Sequence, residues 1–339
     1  MTNLMVVAAA CLVASAAGVA AFTSWATRAR LLDVPNERSS HQVPTPRGAG
    51  AIIVIVVAAA GLWSAYAGLI NAGLIGGAAL TIAFISAIDD ARPLPSALRL
   101  LVHFGCAAIV VLALVADGRE VWSWGVIVLA VLWIVGLTNA YNFMDGVDGI
   151  SGAQAVVSGI TVAIVCLPLH LTGYAVAGTA VASASGGFLL FNWSPARVFM
   201  GDVGAAFLGF VFAALALQIG AVSFAAGMAV VLSLWPFLFD TTLTLLRRMA
   251  RRENIFASHR SHLYQRLVIA GWSHARVTLV YSAMAAIGAV TGVWWSIAGV
   301  SGPVPVAVGV LAAVLYVLVL RVEAAQRSSH RGGANAAVR

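Results

Sequence analysis

The chain contains no lysine: all nineteen basic residues among its 339 are arginine. Charge of either sign is scarce, at 9% of residues, where a soluble globular domain carries about 25%. An ordinary soluble domain is thereby excluded. Cys11, Cys106 and Cys166 are the only cysteines, each inside an apolar run, so neither a disulfide framework nor a cysteine metal cluster is encoded. No polar stretch is long enough to fold as a separate domain. No internal repeat is visible either, which weakens an inverted-repeat transporter.

What the chain has instead is hydrocarbon, 61% hydrophobic residues with a mean hydropathy of +0.97. Apolar runs long enough to cross a bilayer fall at 4–22, 50–70, 71–88, 100–116, 121–138, 153–169, 173–190, 204–219, 222–245, 277–297 and 303–320. The expected fold class is all-α, a polytopic membrane protein with about eleven transmembrane helices. The first run ends in small residues like a signal peptide. It lacks a basic leading region and is followed by Arg28 and Arg30, so it reads as an uncleaved helix. With the N-terminus outside, every arginine except Arg119 falls on the cytoplasmic side, together with the C-terminus. The net charge of +7 therefore belongs to one face of a membrane, and nucleic acid is not an expected partner. Residues 1–325 are expected to form one integral membrane domain, with 326–339 a disordered polar tail.

Polar chemistry is confined to the loops of that one face. Asp89, Asp90, Asp145, Asp148, Asp202 and Asp240 all sit at cytoplasmic ends of expected helices, so separate segments can converge on one site at the inner membrane interface. Ionisable residues at this depth default to function. In "NAYNFMDGVDGISG" (139–152), Asn139, Asn142, Asp145 and Asp148 recur every three residues and drift by about 60° per step on a helix. They cannot share one narrow stripe. A helix end unwinding at Gly146, Gly149 and Gly152, with the polar side chains turned into a common pocket, is the expected structure.

Asp89 and Asp90 in "SAIDDARPLP" are adjacent, and two neighbouring carboxylates repel unless a cation neutralises them. Mg²⁺, a hard cation that shares its shell with water and phosphate oxygens, suits the pair, and Mn²⁺ is allowed as well. Asp202 opens a helix in "RVFMGDVGAAFLG"; alone it reads as a charge complementing the helix dipole, but beside the other acidic loops it reads as part of a site. "LRRMARRENIFASHRSHLYQRL" (246–267) joins an arginine cluster to His259, Arg260 and His262 without the intervening glutamate of an HExxH zinc helix. Arginine and histidine there suit phosphate, while Arg247, Arg248, Arg251 and Arg252 read equally well as topological anchors. His103 is expected to be an interhelical hydrogen-bonder. His41, beside the glycines of "VPTPRGAG", is the better ligand candidate.

Taken in order, "DVPNERSSHQVPTPRGAG", "DD", "NAYNFMDGVDGISG", "FNWSPARVFMGDVG" and "HRSHLYQRL" resemble the polyprenyl-phosphate N-acetylhexosamine-1-phosphate transferases across nearly the whole chain. That superfamily includes enzymes that start O-antigen and teichoic acid chains, and the phospho-MurNAc-pentapeptide translocase. The resemblance implies a multi-pass protein of the bacterial inner membrane. It would move a HexNAc-1-phosphate from a UDP-sugar to undecaprenyl phosphate, release UMP and use Mg²⁺. By motif, Asp89 and Asp90 match the catalytic pair, and Asp202, with Asp89, the metal ligands. His259 and His262 match the histidine motif near the diphosphate. Asn139, Asn142, Asp145, Asp148, Asn192, Phe199, Arg260, His41 and Arg47 match substrate-binding positions.

The departures narrow the donor. Without lysine, the cationic contacts of some members would pass to Arg47, Arg260 or water. "RSSH" at 38–41 together with "HRSHLYQ" looks like the branch handling UDP-FucNAc or UDP-QuiNAc, with UDP-GlcNAc also open; the extended histidine run of the peptidoglycan enzyme is missing. The resemblance leaves room for a homodimer. The competing reading is an ion-coupled transporter, which would place its carboxylates near mid-bilayer on discontinuous helices. A CDP-alcohol phosphotransferase would need two further aspartates at four-residue spacing, and "DGVDGISGA" is not followed by them.

Overall fold

Thirteen helices and one two-stranded sheet make up the described residues of the computed structural model, which are 2–34, 43–66, 73–116, 123–254, 259–300 and 302–336. Helix α1 (Thr2–Arg28) leads through β1 (Leu32–Asp33) and β2 (Thr45–Pro46) to α2 (Gly50–Tyr66), α3 (Gly73–Ala91), α4 (Ser96–Ala116) and α5 (Trp124–Met144). Next come α6 (Ile150–Cys166), α7 (Thr172–Asn192), α8 (Asp202–Gly220), α9 (Phe224–Ser233), α10 (Trp235–Ala250), α11 (Leu263–Ile269), α12 (His274–Ala298) and α13 (Pro303–Ala336). Eight of these helices are long and apolar enough to span a membrane, and α2 and α6 are shorter apolar helices. The expected all-α membrane architecture is the one observed. His41 lies outside the described residues. Helix α13 runs through Ala336, into the segment expected to be a disordered tail.

Against about eleven expected spans, the described residues hold eight helices of spanning length, or nine if α9 and α10 count as one, with the runs at 50–70 and 153–169 forming the shorter α2 and α6. The run at 222–245 is two helices, α9 and α10, bent by 68° at Leu234. The cause is Pro236 in the first turn of α10: it has no N–H to donate to Leu232, and its ring would collide with that carbonyl. The Trp235 indole N–H donates instead across the break to the Met284 carbonyl at 2.9 Å, which fastens the bend to α12.

Helix α8 is the centre of the bundle, apolar on every side and buried along most of its length, with α3 and α5 packed against it. Large apolar side chains on α1, α4 and α13, such as Val13, Leu112 and Val310, remain exposed, as a lipid-facing perimeter requires. In lipid, helices gain little from apolar burial against one another, so small residues that let backbones approach are the effective contact. Gly50 shows this where it positions the site. A Cβ there would lie 2.5 Å from the Gly204 Cα and 2.7 Å from the Met200 carbonyl oxygen. Gly50→Ala is therefore expected to cost about 1–3 kcal/mol by forcing α2 and α8 apart, seen as a lower unfolding midpoint of the detergent-solubilised protein.

Candidate active site

The ends of α3 and α5 and the starts of α2, α4 and α8 meet at one end of the bundle. The segment before α2 is pinned to the segment before α8 by backbone pairing. Phe199 N–H donates to the Pro46 carbonyl at 2.8 Å, and the Phe199 carbonyl accepts from Gly48 and Ala49 N–H, both at 3.1 Å. Gly50 N–H donates to the Met200 carbonyl at 2.8 Å. This clamp delivers Arg47 to the first residue of α8. Phe199, expected at a substrate-binding position, contributes its backbone to that clamp.

Asp202 is the hub. Its Oδ1 accepts from Arg47 Nη2 at 2.6 Å, and its Oδ2 lies 3.3 Å from the donating Asn142 Nδ2 and 3.5 Å from Arg99 Nη1. Arg47 Nη2 also lies 3.1 Å from Asp90 Oδ1, and Arg99 Nη1 lies 2.5 Å from Asp89 Oδ2. Two guanidiniums thus knit together three carboxylates from α3 and α8. Asp90 is further committed, since its two oxygens accept from the Asp202 and Val203 N–H groups at 3.1 and 3.0 Å. It caps the N-terminus of α8, where orphan donors and the helix dipole favour an anion. Asp89 Oδ1 accepts from Leu94 N–H at 2.6 Å, which holds the turn through Pro93 and Pro95.

Asp89 and Asp202 are hard oxygen donors, and Arg99 Nη1 sits between them, where a cation shared by both would lie. Among the described residues no three His, Cys, Asp or Glu side chains converge as a closed ligand set. Mg²⁺ is commonly held by only one or two carboxylates, with water and substrate phosphate completing its shell. The donor chemistry here fits that ion.

The repeat from Asn139 to Asp148 does not gather in one pocket. Helix α5 stays regular through Met144 and then unwinds from Asp145 to Gly149, as expected; the drift on the helix sends Asn139 and Asn142 apart, and Asp148 lies in the loop beyond it. Asn142 reaches Asp202. Asn139 Nδ2 meets His103 Nδ1 at 3.3 Å and donates to the Val135 carbonyl at 2.7 Å, so His103 is the interhelical hydrogen-bonder expected. Withdrawal from water pushes the Asp145 carboxyl up to about 7, opposed by Arg47 and reinforced by Asp202 and Asp90. Asp145 therefore belongs electrostatically to the cluster.

Asp148 turns to other partners. Its Oδ1 lies 3.0 Å from His274 Nδ1 at the start of α12, and its Oδ2 accepts from Ala196 N–H at 3.1 Å. Burial pushes its pKa up, but the His274 and Ala196 contacts outweigh that and hold it below the usual carboxylate value. Asn192 is likewise occupied inside the protein, its Oδ1 accepting from Gly149 N–H at 3.0 Å and its Nδ2 donating to the Val198 carbonyl at 2.9 Å. Asn192 and Asp148 together fasten the loop after α5 to the loop before α8.

The histidine motif is built on Asp240, which is fully buried on α10. Asp240 accepts from Leu263 N–H at 2.8 Å, Tyr264 N–H at 3.1 Å and the Tyr281 hydroxyl at 2.6 Å, and His262 Nδ1 lies 3.2 Å from its Oδ1. The Tyr264 hydroxyl donates to the Phe143 carbonyl at 3.1 Å, tying the motif to the end of α5. Any side chain at Gly146 would collide with that hydroxyl, so glycine is required there. His259 Nδ1 lies 2.8 Å from the Ser261 hydroxyl. Burial, helped by His262 and Arg248, pushes the His259 imidazole down to about 4, so at neutral pH it is an uncharged hydrogen-bonding group. Positive charge at this end of the protein comes from arginine, with Arg260 in the same turn as the histidines.

A family model described as glycosyl transferase family 4 matches residues 72–220, the stretch that carries Asp89, Asp90, Asn142, Asp145 and Asp202. The chain is 30% identical over 262 residues to the probable undecaprenyl-phosphate N-acetylglucosaminyl 1-phosphate transferase of Bacillus subtilis (strain 168), covering 74% of this chain and 73% of that protein. The chain belongs to glycosyl transferase family 4. It is also 31% identical over 185 residues to the phospho-N-acetylmuramoyl-pentapeptide-transferase of Bacillus mycoides (strain KBAB4), covering 51% of this chain and 53% of that one. A third family 4 relative, the phospho-N-acetylmuramoyl-pentapeptide-transferase of Latilactobacillus sakei subsp. sakei (strain 23K), is 38% identical over 95 residues, 28% of this chain and 30% of that one.

Arg99 and His274 were not among the expected site residues, and Asp240 was expected there only as a helix-end carboxylate, without its partners. Arg99 had a visible signal, a lone cation nine residues after "DD" at the start of the next apolar run. Asp240 was visible as a carboxylate at a helix end, but its partners lie 22 to 41 residues away. His274 stands 126 residues from Asp148 and had no local signal.

Proposed function

We propose that this family 4 protein transfers a HexNAc-1-phosphate from a UDP-sugar to undecaprenyl phosphate at the cytoplasmic face of the bacterial inner membrane. UMP is released and a cell-surface glycan is begun. The observation that carries the reading is the convergence of Asp89, Asp90 and Asp202, bridged by Arg47 and Arg99, at the helix ends. The family relatives named above act on related lipid and sugar partners. An ion-coupled transporter would hold its carboxylates near mid-bilayer, and these lie at the bundle's end.

A lipid phosphate monoester is already mostly dianionic at pH 7, because its second pKa is near 6. The difficulty is bringing that dianion to a diphosphate, so catalysis is chiefly positioning and charge stabilisation. Asp202 and Asp89 would hold Mg²⁺ or Mn²⁺, which when bound offsets negative charge on the diphosphate. Arg47 and Arg99, freed in part from their carboxylates, would turn to phosphate oxygens. Asp90 keeps α8 in place and orients the acceptor through Arg47. Neutral His259 and the Asp240-bound His262 would hydrogen-bond the donor, and Asn142 and Asp145 would line its nucleotide side. The lipid oxygen attacks the β-phosphorus directly, and UMP departs.

The donor is proposed to be UDP-GlcNAc or a UDP-6-deoxy-HexNAc of the FucNAc or QuiNAc type. Incubation of purified protein with undecaprenyl phosphate, Mg²⁺ and a panel of UDP-HexNAc donors tests this by the mass of the lipid product. A lipid diphosphate-HexNAc with one of these donors is expected. Absence of any sugar-bearing lipid from the whole panel would refute the reading.

A further inference from the structure

The arginines at the end of α10 take no part in the carboxylate cluster. Arg247, Arg248 and Arg251, with Arg266 of α11 and Glu323 of α13, line a separate cavity of about 240 Å³. Among the described residues, Arg247, Arg248, Arg251 and Arg266 share a lining with two carboxylates. Glu253 lies 3.0 Å from Arg248 Nη1 and 3.9 Å from Arg251 Nη1, and Glu323 pairs with Arg266. Four guanidiniums against two carboxylates leave the lining with surplus positive charge. Arg247 rests on the Tyr316 ring, 5.7 Å from its centroid.

Arg248 points to what the cavity lacks. Its side chain is only 10% exposed, and its Nε has no hydrogen-bond partner. Its Nη2 donates to the Asn254 carbonyl at 2.5 Å, which fixes the guanidinium in place. A buried charged N–H without an acceptor is costly. A phosphate group offers several acceptor oxygens in the geometry that guanidinium forks match.

The position of the cavity is as informative as its charge. Leu245, Leu246 and Met249 are exposed on α10 immediately beside these arginines, and Val310, Val314 and Val317 are exposed on α13. An apolar flank giving way within one turn to arginine is the arrangement of a segment at the headgroup level of a bilayer. We propose that this cavity binds a phosphate group, carried by an acidic phospholipid or present as the free anion, at a second site apart from the carboxylate cluster. The site abuts the histidine motif from behind. Thr244 lines it and donates to Asp240 Oδ1 at 3.1 Å, and Ser261 lines it while its hydroxyl lies 2.8 Å from His259 Nδ1. An occupant would brace the turn that presents His259 and His262.

Binding can be read without turnover, so the outcome does not depend on the proposed reaction. The unfolding midpoint of the full chain in neutral detergent is titrated with phosphatidylglycerol, phosphatidylcholine or inorganic phosphate, for the natural protein and for the Arg247→Gln, Arg251→Gln double variant. Phosphatidylglycerol is expected to raise the midpoint of the natural protein, phosphatidylcholine is not, and the double variant should need at least about tenfold more anion for the same rise. A comparable rise with inorganic phosphate at similar concentration would name the free anion as the source; a rise with the lipid alone would name the headgroup. Should the double variant not fold, Arg251→Gln alone makes the same comparison, since that side chain is 67% exposed. Equal responses of natural and variant proteins, or no response to either anion, would overturn the proposal.

Discussion

Asp202→Asn is expected to lower turnover by about a thousandfold or more while the protein still folds. The substitution keeps the size of the side chain and removes the charge on which Arg47 and Arg99 converge, from 2.6 and 3.5 Å. Each guanidinium would then be drawn to its remaining partner, Asp90 or Asp89, and the proposed cation position would lose one of its two carboxylates. Folding survives because the donors at the start of α8 are satisfied by Asp90 and not by Asp202 itself. The loss of helix-dipole complementarity is worth only about 0.3–1 kcal/mol. Steady-state UMP release checks the first half and the unfolding midpoint the second. Activity within about tenfold of the natural enzyme would remove Asp202 from the reacting centre.

Asp240→Ala has the opposite signature, a large loss of stability with activity falling as a consequence. The fully buried carboxylate is the acceptor for two backbone N–H groups at the start of α11 and for the Tyr281 hydroxyl of α12. Removing it strands these donors away from water, at roughly 1–3 kcal/mol for each left unmade. About 3–5 kcal/mol is the expected net cost once the site relaxes. The His262 ring loses its anchor at the same time. Asp240→Asn should fall between, since an amide oxygen can still accept two of these bonds while its NH₂ faces a donor. Unfolding midpoints for the three proteins, ordered Asp, Asn, Ala, check the account.

The membrane architecture was open to inspection in the sequence because a bilayer imposes a length and a composition on every spanning segment. Asp89, Asp90 and Asp202 could be assigned to one region for a related reason: charge survives at helix ends and seldom elsewhere. The bend at Leu234 is hidden in the sequence by an unbroken apolar run, and Pro236 alone announces it. Contacts made across long chain separations were a harder case. Nothing near Asp148 indicates His274, and nothing near Asp240 indicates that it serves the histidine turn and Tyr281 together. The helix end unwinds after Met144 as expected, but Asn139, Asn142 and Asp148 do not share one pocket: they meet Val135, Asp202 and His274 respectively. Asn139 and Asn142 are turned apart by the helix, and the loop carries Asp148 to the start of α12.

Following the β-phosphorus of the donor tests the central claim most directly. Purified protein is given undecaprenyl phosphate, Mg²⁺ and UDP-GlcNAc or another accepted UDP-HexNAc, labelled at the β-phosphorus. The label should pass into the lipid phase with the sugar while unlabelled UMP appears in equal amount. Label that stays in the aqueous phase as UDP while sugar moves to the lipid would mean that the bond between sugar and phosphate is the one broken. That result would contradict attack at phosphorus by a lipid oxygen beside Asp89, Asp90 and Asp202.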